Sequence, residues 1–325
     1  MKYRRIVYYI LPPLIILAGY FMYFFYYDRV INFDWGFFNS LSHLLESIIF
    51  EYHRFPVHDP WVCGGVDILS RPQNWVFSPF IISTLLLPPY IANLFSLILL
   101  SFIGTWGMYK LLKHYKVSTT VSIYCALLFI NSGWFGLHII VGHVAFRSLF
   151  LLPIVIYLLL TLTNIKKFVF LTLIMSFFLV DGGIYTFFYS LVLIFLLLIF
   201  NMVPIKTFIS EVTKNWIIFL LTTIAFLLVS SAKIIPVLTR TLVPSRLPHY
   251  HMSLKEIALS LFDPWLTNFD LYKWDEYMLP FHEFGSYIGI LSLFIICWYS
   301  RKKVFWRNNL KEILLLLIFL WIATG

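Results

Sequence analysis

Ionisable side chains are scarce in this sequence, and the places where they gather suggest chemistry. Asp28, Asp34 and Asp59 share one aromatic-rich stretch, and a positioned carboxylate can take a proton from a reacting group. His138 and His143 close the run from Asn131-Ser132-Gly133-Trp134, with Arg147 just beyond. Lys233, Arg240 and Arg246 break into or follow an apolar run. Arginine's planar fork suits phosphate, and lysine adds a point charge. His282-Glu283 stands before Phe284-Gly285-Ser286-Tyr287-Ile288-Gly289. Glu283 with His138, His143 or His282 supplies metal-ligand types, but at no tight ligand spacing. No metal is therefore expected to be obligatory, although a divalent ion is compatible with the set.

Each of these residues also has a structural reading. Asp34 fits the N-cap of a following helix. The histidines fit hydrogen bonds to loop carbonyls, Glu283 a cap or an arginine pair, and Arg147 an anchor at a helix end. Lys233 fits a side chain reaching for the membrane interface. Asp181-Gly182-Gly183 reads as a turn before anything else.

The elements that must carry these residues follow from composition. The chain has 325 residues, 61% hydrophobic and 12% charged, with a mean hydropathy of +0.86. Soluble domains carry about twice that share of charge, so the class is membrane-embedded, where each helical span needs about 20 apolar residues. Apolar runs predict an all-α polytopic protein, a single transmembrane domain over 1–325 of about nine helices. The predicted spans are 6–26, 90–112, 118–137, 147–164, 167–181, 184–201, 216–233, 285–300 and 309–324. The 167–181 and 184–201 pair reads as a tight hairpin turning at Asp181-Gly182-Gly183. Cys63, Cys125 and Cys297 are too few and too scattered for a disulfide framework.

Charge sets the orientation. With the N-terminus cytoplasmic, 15 of the 24 basic residues and two of the 15 acids fall inside. The balance is +13 inside and −4 outside, which matches the positive-inside rule. The net charge of +9 is thereby an orientation signal, and nucleic acid is not expected as a partner. The apolar stretch within Met1–Tyr27 is long for a signal peptide and lacks a small-residue cleavage site, so it reads as an uncleaved first helix. The sequence stops at Gly325 in or just after an apolar run, which suggests part of a longer protein. The expected location is the inner membrane, multi-pass, with the active face outside.

Two outer loops are long, 28–89 and 234–284. Eight of nine histidines and thirteen of fifteen acids fall on the outer side, and ionisable groups against the grain of a membrane protein mark function. Within the first loop, apolar positions 37, 38, 41, 44, 45, 48 and 49 predict an amphipathic helix lying in the membrane interface. Beyond it, prolines, glycines and aromatics make an ordered, turn-rich segment suited to stacking on sugar rings.

Four stretches together resemble the multi-spanning glycosyltransferases of the GT-C superfamily, above all their YfhO-like branch. They are Pro56-Val57-His58-Asp59-Pro60-Trp61 through Gly64-Gly65, Pro72-Gln73 through Ser78-Pro79, Ser132-Gly133 through Gly142-His143, and Glu283 through Gly289. All four are placed outside, and the resemblance covers most of the chain. The chain departs from that family in having fewer helices and less C-terminal sequence. The resemblance implies a GT-C-like membrane core and sugar transfer from a polyprenyl-phosphate donor to a glycan, lipid or protein acceptor at the outer face. It implies that an aspartate of the first outer loop serves as base or organises the acceptor. Asp34 is the matching position, Asp28 the rival and Asp59 a third. Inverting transfer from an activated sugar phosphate also needs cations for the leaving phosphate, for which Arg147, Lys233, Arg240 and Arg246 are candidates. His138, His143, His282 and Glu283 are candidates for substrate binding.

Two other classes compete. A transporter or lipid flippase would show repeats and polar groups near the midplane; no repeat is found, and the polar groups gather outside. A non-catalytic subunit of a surface-polymer assembly complex is the third class.

Overall fold

The computed structural model describes residues 34–241, apart from Cys63 and Val141, together with 294, 298 and 300–323. The expected span 6–26, Asp28, Arg246, His282 and Glu283 lie outside the described residues, as do most of 285–300.

In chain order the elements are α1 (Asp34–Phe50), β1 (His58–Asp59), β2 (Val66–Asp67), α2 (Ile81–Leu86), α3 (Pro89–His114), α4 (Thr119–Ile130) and α5 (Gly133–Ile140). A 3-10 helix (Val144–Leu151) then runs into α6 (Leu152–Leu160). After it come α7 (Ile165–Val180), α8 (Ile184–Ile199), α9 (Ile205–Lys214), α10 (Trp216–Thr241), α11 (Lys303–Asn308) and α12 (Leu310–Ala323). The strands form one short antiparallel pair, with His58 opposite Asp67 and Asp59 opposite Val66. The protein is mostly helical. Among the described residues two helices are long and apolar enough to cross a membrane, Pro89–His114 and Trp216–Thr239. In the second, only 11% of the most apolar stretch is buried.

The residues divide into two compact units. One takes in Met1–Leu127 and Gly142–Ser245, the other Leu128–Val141 and Arg246–Gly325. The first contains the polar chemistry described below.

The apolar spacing of α1 is realised as a helix, and it buries the expected stripe, but what covers that stripe differs from expectation. Phe38, Leu41, Leu44, Leu45 and Ile48 are buried against Ile68, Trp75 and Val76 of the following loop and Val144 and Ala145 of the 3-10 helix. The stripe is covered by the protein itself. A 3.6-residue period shows that one face is apolar and is silent on what covers it.

Three spans differ from the hydropathy reading. The run 118–137 is broken at Asn131-Ser132 into α4 and α5. The 147–164 run begins as a 3-10 helix and becomes α-helical at Leu152-Pro153, where proline's missing N–H is tolerated in a first turn. The 216–233 run continues past Lys233 and through Pro236 to Thr241. The hairpin at Asp181-Gly182-Gly183 joins α7 to α8 as expected. A further amphipathic helix, α9, occupies residues that read as a loop.

α3 packs closely on the 3-10 helix and α6 because glycine lets the backbones approach. A Cβ on Gly104 would strike the carbonyl oxygen of Phe150, and one on Gly107 would strike the Ile154 side chain. Gly104→Ala must therefore move a backbone rather than a rotamer. Its expected cost is about 1–3 kcal/mol, the usual range for overpacking, read as a lowered thermal midpoint in detergent.

Candidate functional site

The site is built around the start of α1. Asp34 opens that helix, where a negative charge is favoured by the unpaired N–H groups of the first turn. Its Oδ2 lies 2.9 Å from His143 Nε2. The aspartate side chain is half exposed and the histidine mostly buried, at 52% and 15%. Glycine makes the meeting geometrically possible. Gly142 has φ +89°, and a Cβ there would collide with the Trp35 backbone nitrogen. Only a residue without a side chain lets the chain before the 3-10 helix pass so near the start of α1. That passage sets His143 beside Asp34.

Two cavities of about 310 and 300 Å³ flank this region. Phe37 and Arg71 border both. The larger adds Ser40, His43, Asp59 and Trp61, and the other adds Gln73, Asn74 and Tyr185. Phe37 sits one turn beyond Asp34 on the same side of α1. Tyr185 stacks on Phe146 at 5.9 Å, and Phe146 lies 5.6 Å from the His143 ring. An aromatic file thus links the Asp34–His143 pair to the second cavity.

Arg71 is the cation shared by the two cavities. Its guanidinium lies 5.8 Å above the Phe37 ring, and its Nη2 donates to Asp59 Oδ2 at 2.9 Å. Asp59 is buried, and its other oxygen accepts from the Trp61 N–H. Asp59 therefore fixes Arg71 and the turn before Trp61, and the geometry gives it a positioning role rather than that of an open base.

Of the cations expected to meet phosphate, two are committed to the fold. Arg147 is buried and forks onto Asp181, Nε to Oδ2 at 2.9 Å and Nη2 to Oδ1 at 2.7 Å. Its Nη1 donates to Ser96 Oγ at 2.7 Å. Ser78 donates to Asp181 Oδ1 at 2.6 Å, and Arg147 lies 5.5 and 5.0 Å from the Trp75 and Phe80 rings. One ion pair thereby ties the first loop, α3, the 3-10 helix and the α7–α8 turn together. Asp181 read as a turn residue, and its role as the arginine's counter-ion carried no sequence signal.

Lys233 is buried too. Its ammonium reaches from α10 to the carbonyl oxygens of Arg71 at 3.0 Å and Asn74 at 2.9 Å. It anchors the loop that presents Arg71. Lys233→Met removes both donors and strands two carbonyls. The expected loss is about 1–3 kcal/mol, with faster amide exchange over 68–76 as the local signature.

His138 belongs to the other unit. It is buried, stacks on Trp134 at 4.0 Å, and donates Nδ1–H to the Trp134 carbonyl at 3.0 Å. Arg240 lies near the end of α10, with its side chain outside the described residues. Among the described residues no three histidine, cysteine or acidic side chains come together as a metal site. Arg71 and Tyr185 were missed by sequence reasoning; Arg71 stands immediately before the Pro72–Pro79 stretch, an isolated charge among prolines and aromatics. Comparison with protein-family models, curated proteins and solved structures finds no match for this chain.

Proposed function

We propose that the protein is a multi-pass, inner-membrane glycosyltransferase. In this reading it moves a sugar from a polyprenyl-phosphate carrier to an acceptor hydroxyl at the outer face. The observation that carries this is the half-open Asp34 carboxylate, held 2.9 Å from His143 one turn along α1 from Phe37, which with Arg71 borders two cavities. The GT-C-like arrangement of the quoted motifs supports it, as does the gathering of acids and histidines on the side opposite the lysines.

In this reading Asp34 takes the proton of the acceptor hydroxyl. The freed oxygen attacks the anomeric carbon, and the bond from that carbon to the phosphate oxygen breaks with inversion. His143 holds the carboxylate in place. Arg71 meets the charge that develops on the leaving phosphate, in a site where such an interaction is worth more than in water. Phe37, Trp61 and Tyr185 offer flat faces to sugar rings. No metal is required for these steps.

The test is carrier binding. Native mass spectrometry of the detergent-purified protein with added undecaprenyl phosphate should show a one-to-one complex. Arg71→Lys keeps a charge against Asp59 and loses the fork, so it should retain the fold and lose most of the complex. No complex with the wild type, or one that Arg71→Lys leaves unchanged, contradicts the assignment.

A further inference from the structure

We propose that α9 is a membrane-surface helix that docks on anionic phospholipid headgroups. It lies away from the site above. The inference rests on the membrane-spanning reading of α10 and is independent of the transferase reaction.

Ile205, Phe208, Ile209 and Val212 fall at the i, i+3, i+4, i+7 spacing of one helical face. The face has two destinations. Phe208 packs inward, 5.4 Å from Phe168 and 6.4 Å from Phe219. Ile205 and Ile209 point away from the protein and stay 42% and 56% exposed. No residue of α9 is buried.

What covers the two isoleucines follows from the next element. Asn215 ends α9 by donating to the Glu211 carbonyl, and the apolar α10 starts at Trp216, itself 59% exposed. A tryptophan at the start of a span marks the headgroup level. α9 is therefore held at that level, and the medium beside Ile205 and Ile209 is lipid.

The charge on the same surface is basic. Lys206 and Lys214 of α9 are exposed. The one acid of α9, Glu211, lies 3.5 Å from Lys214. An amphipathic helix with lysines beside its apolar face binds in the interface plane and prefers anionic lipid.

The test uses the full chain with its three cysteines replaced by serine, nitroxide-labelled at Ile209→Cys, Ser210→Cys or Leu227→Cys, in nanodiscs. Leu227 is exposed midway along α10 and reports the span itself. The expected result is an oxygen-over-nickel accessibility ratio several-fold higher at 209 than at 210, and high at 227. Adding phosphatidylglycerol to phosphatidylcholine should raise the ratio at 209. Lys206→Glu with Lys214→Glu should abolish that rise, and the paired arginine variant should keep it. A water-like ratio at 209 with a lipid-like ratio at 227 overturns the proposal and leaves the span intact. A ratio at 209 indifferent to lipid charge and to lysine reversal overturns it as well.

Discussion

Arg147→Ala is expected to destabilise the protein by about 3–5 kcal/mol, the range for breaking a buried ion pair by deleting one partner. The cost arises chiefly from what is left behind. Asp181 is fully buried, and among the described residues it keeps only the Ser78 hydroxyl as a side-chain donor once the guanidinium is gone. Ser96 loses its donor at the same time, and the rings of Trp75 and Phe80 lose their cation. Removing both charges together is a different experiment. Arg147→Met with Asp181→Leu is expected to recover most of the loss, because well-packed apolar pairs replace buried ion pairs at little cost. Thermal unfolding in detergent, followed by tryptophan fluorescence, reads both. A single variant as stable as wild type would remove the pair from its place as the tie between the first loop and the helices.

Asp34→Asn is expected to leave the melting curve unchanged and to lower sugar transfer by about 10²- to 10⁴-fold, the usual contribution of a positioned base. The side chain is half exposed and the amide has the same shape, so the fold has little to lose. The amide cannot take up the acceptor proton. His143→Gln should lower transfer less, because it removes the group that holds and stabilises the carboxylate while the base remains. Asp59→Asn should behave in another way, loosening Arg71 and weakening carrier binding more than turnover. The split between turnover and binding separates the base from the positioning residue.

The sequence reading went furthest where a local pattern decides the outcome. The spacing from Phe37 to Ile49 specified α1, and Asp181-Gly182-Gly183 specified the α7–α8 turn, because each depends on residues close in the chain. The first loop was readable as ordered from its prolines and aromatics. What could not be read is which side chains meet across the chain. Asp34 and His143 stand in separate motifs, and their approach depends on Gly142 passing the Trp35 backbone. Arg147 and Asp181 each had a sufficient local explanation, as helix anchor and as turn, and neither hinted at a counter-ion. Lys233 looked like a charge reaching for the interface; it reaches loop carbonyls instead. Hydropathy also merged α4 with α5, because two polar residues barely change an average, and it passed over α9, whose apolar positions are spaced rather than contiguous.

The central claim is that Asp34, braced by His143, serves transfer from a lipid-linked sugar. Its most direct test is release of polyprenyl phosphate from a radiolabelled polyprenyl-phosphate sugar by purified protein in liposomes, with wild type and Asp34→Asn side by side. The account predicts carrier release and sugar transfer by the wild type, and a loss of at least about 100-fold in the equally stable variant. Equal release by both proteins, or carrier that is bound but never cleaved by the wild type, would contradict it.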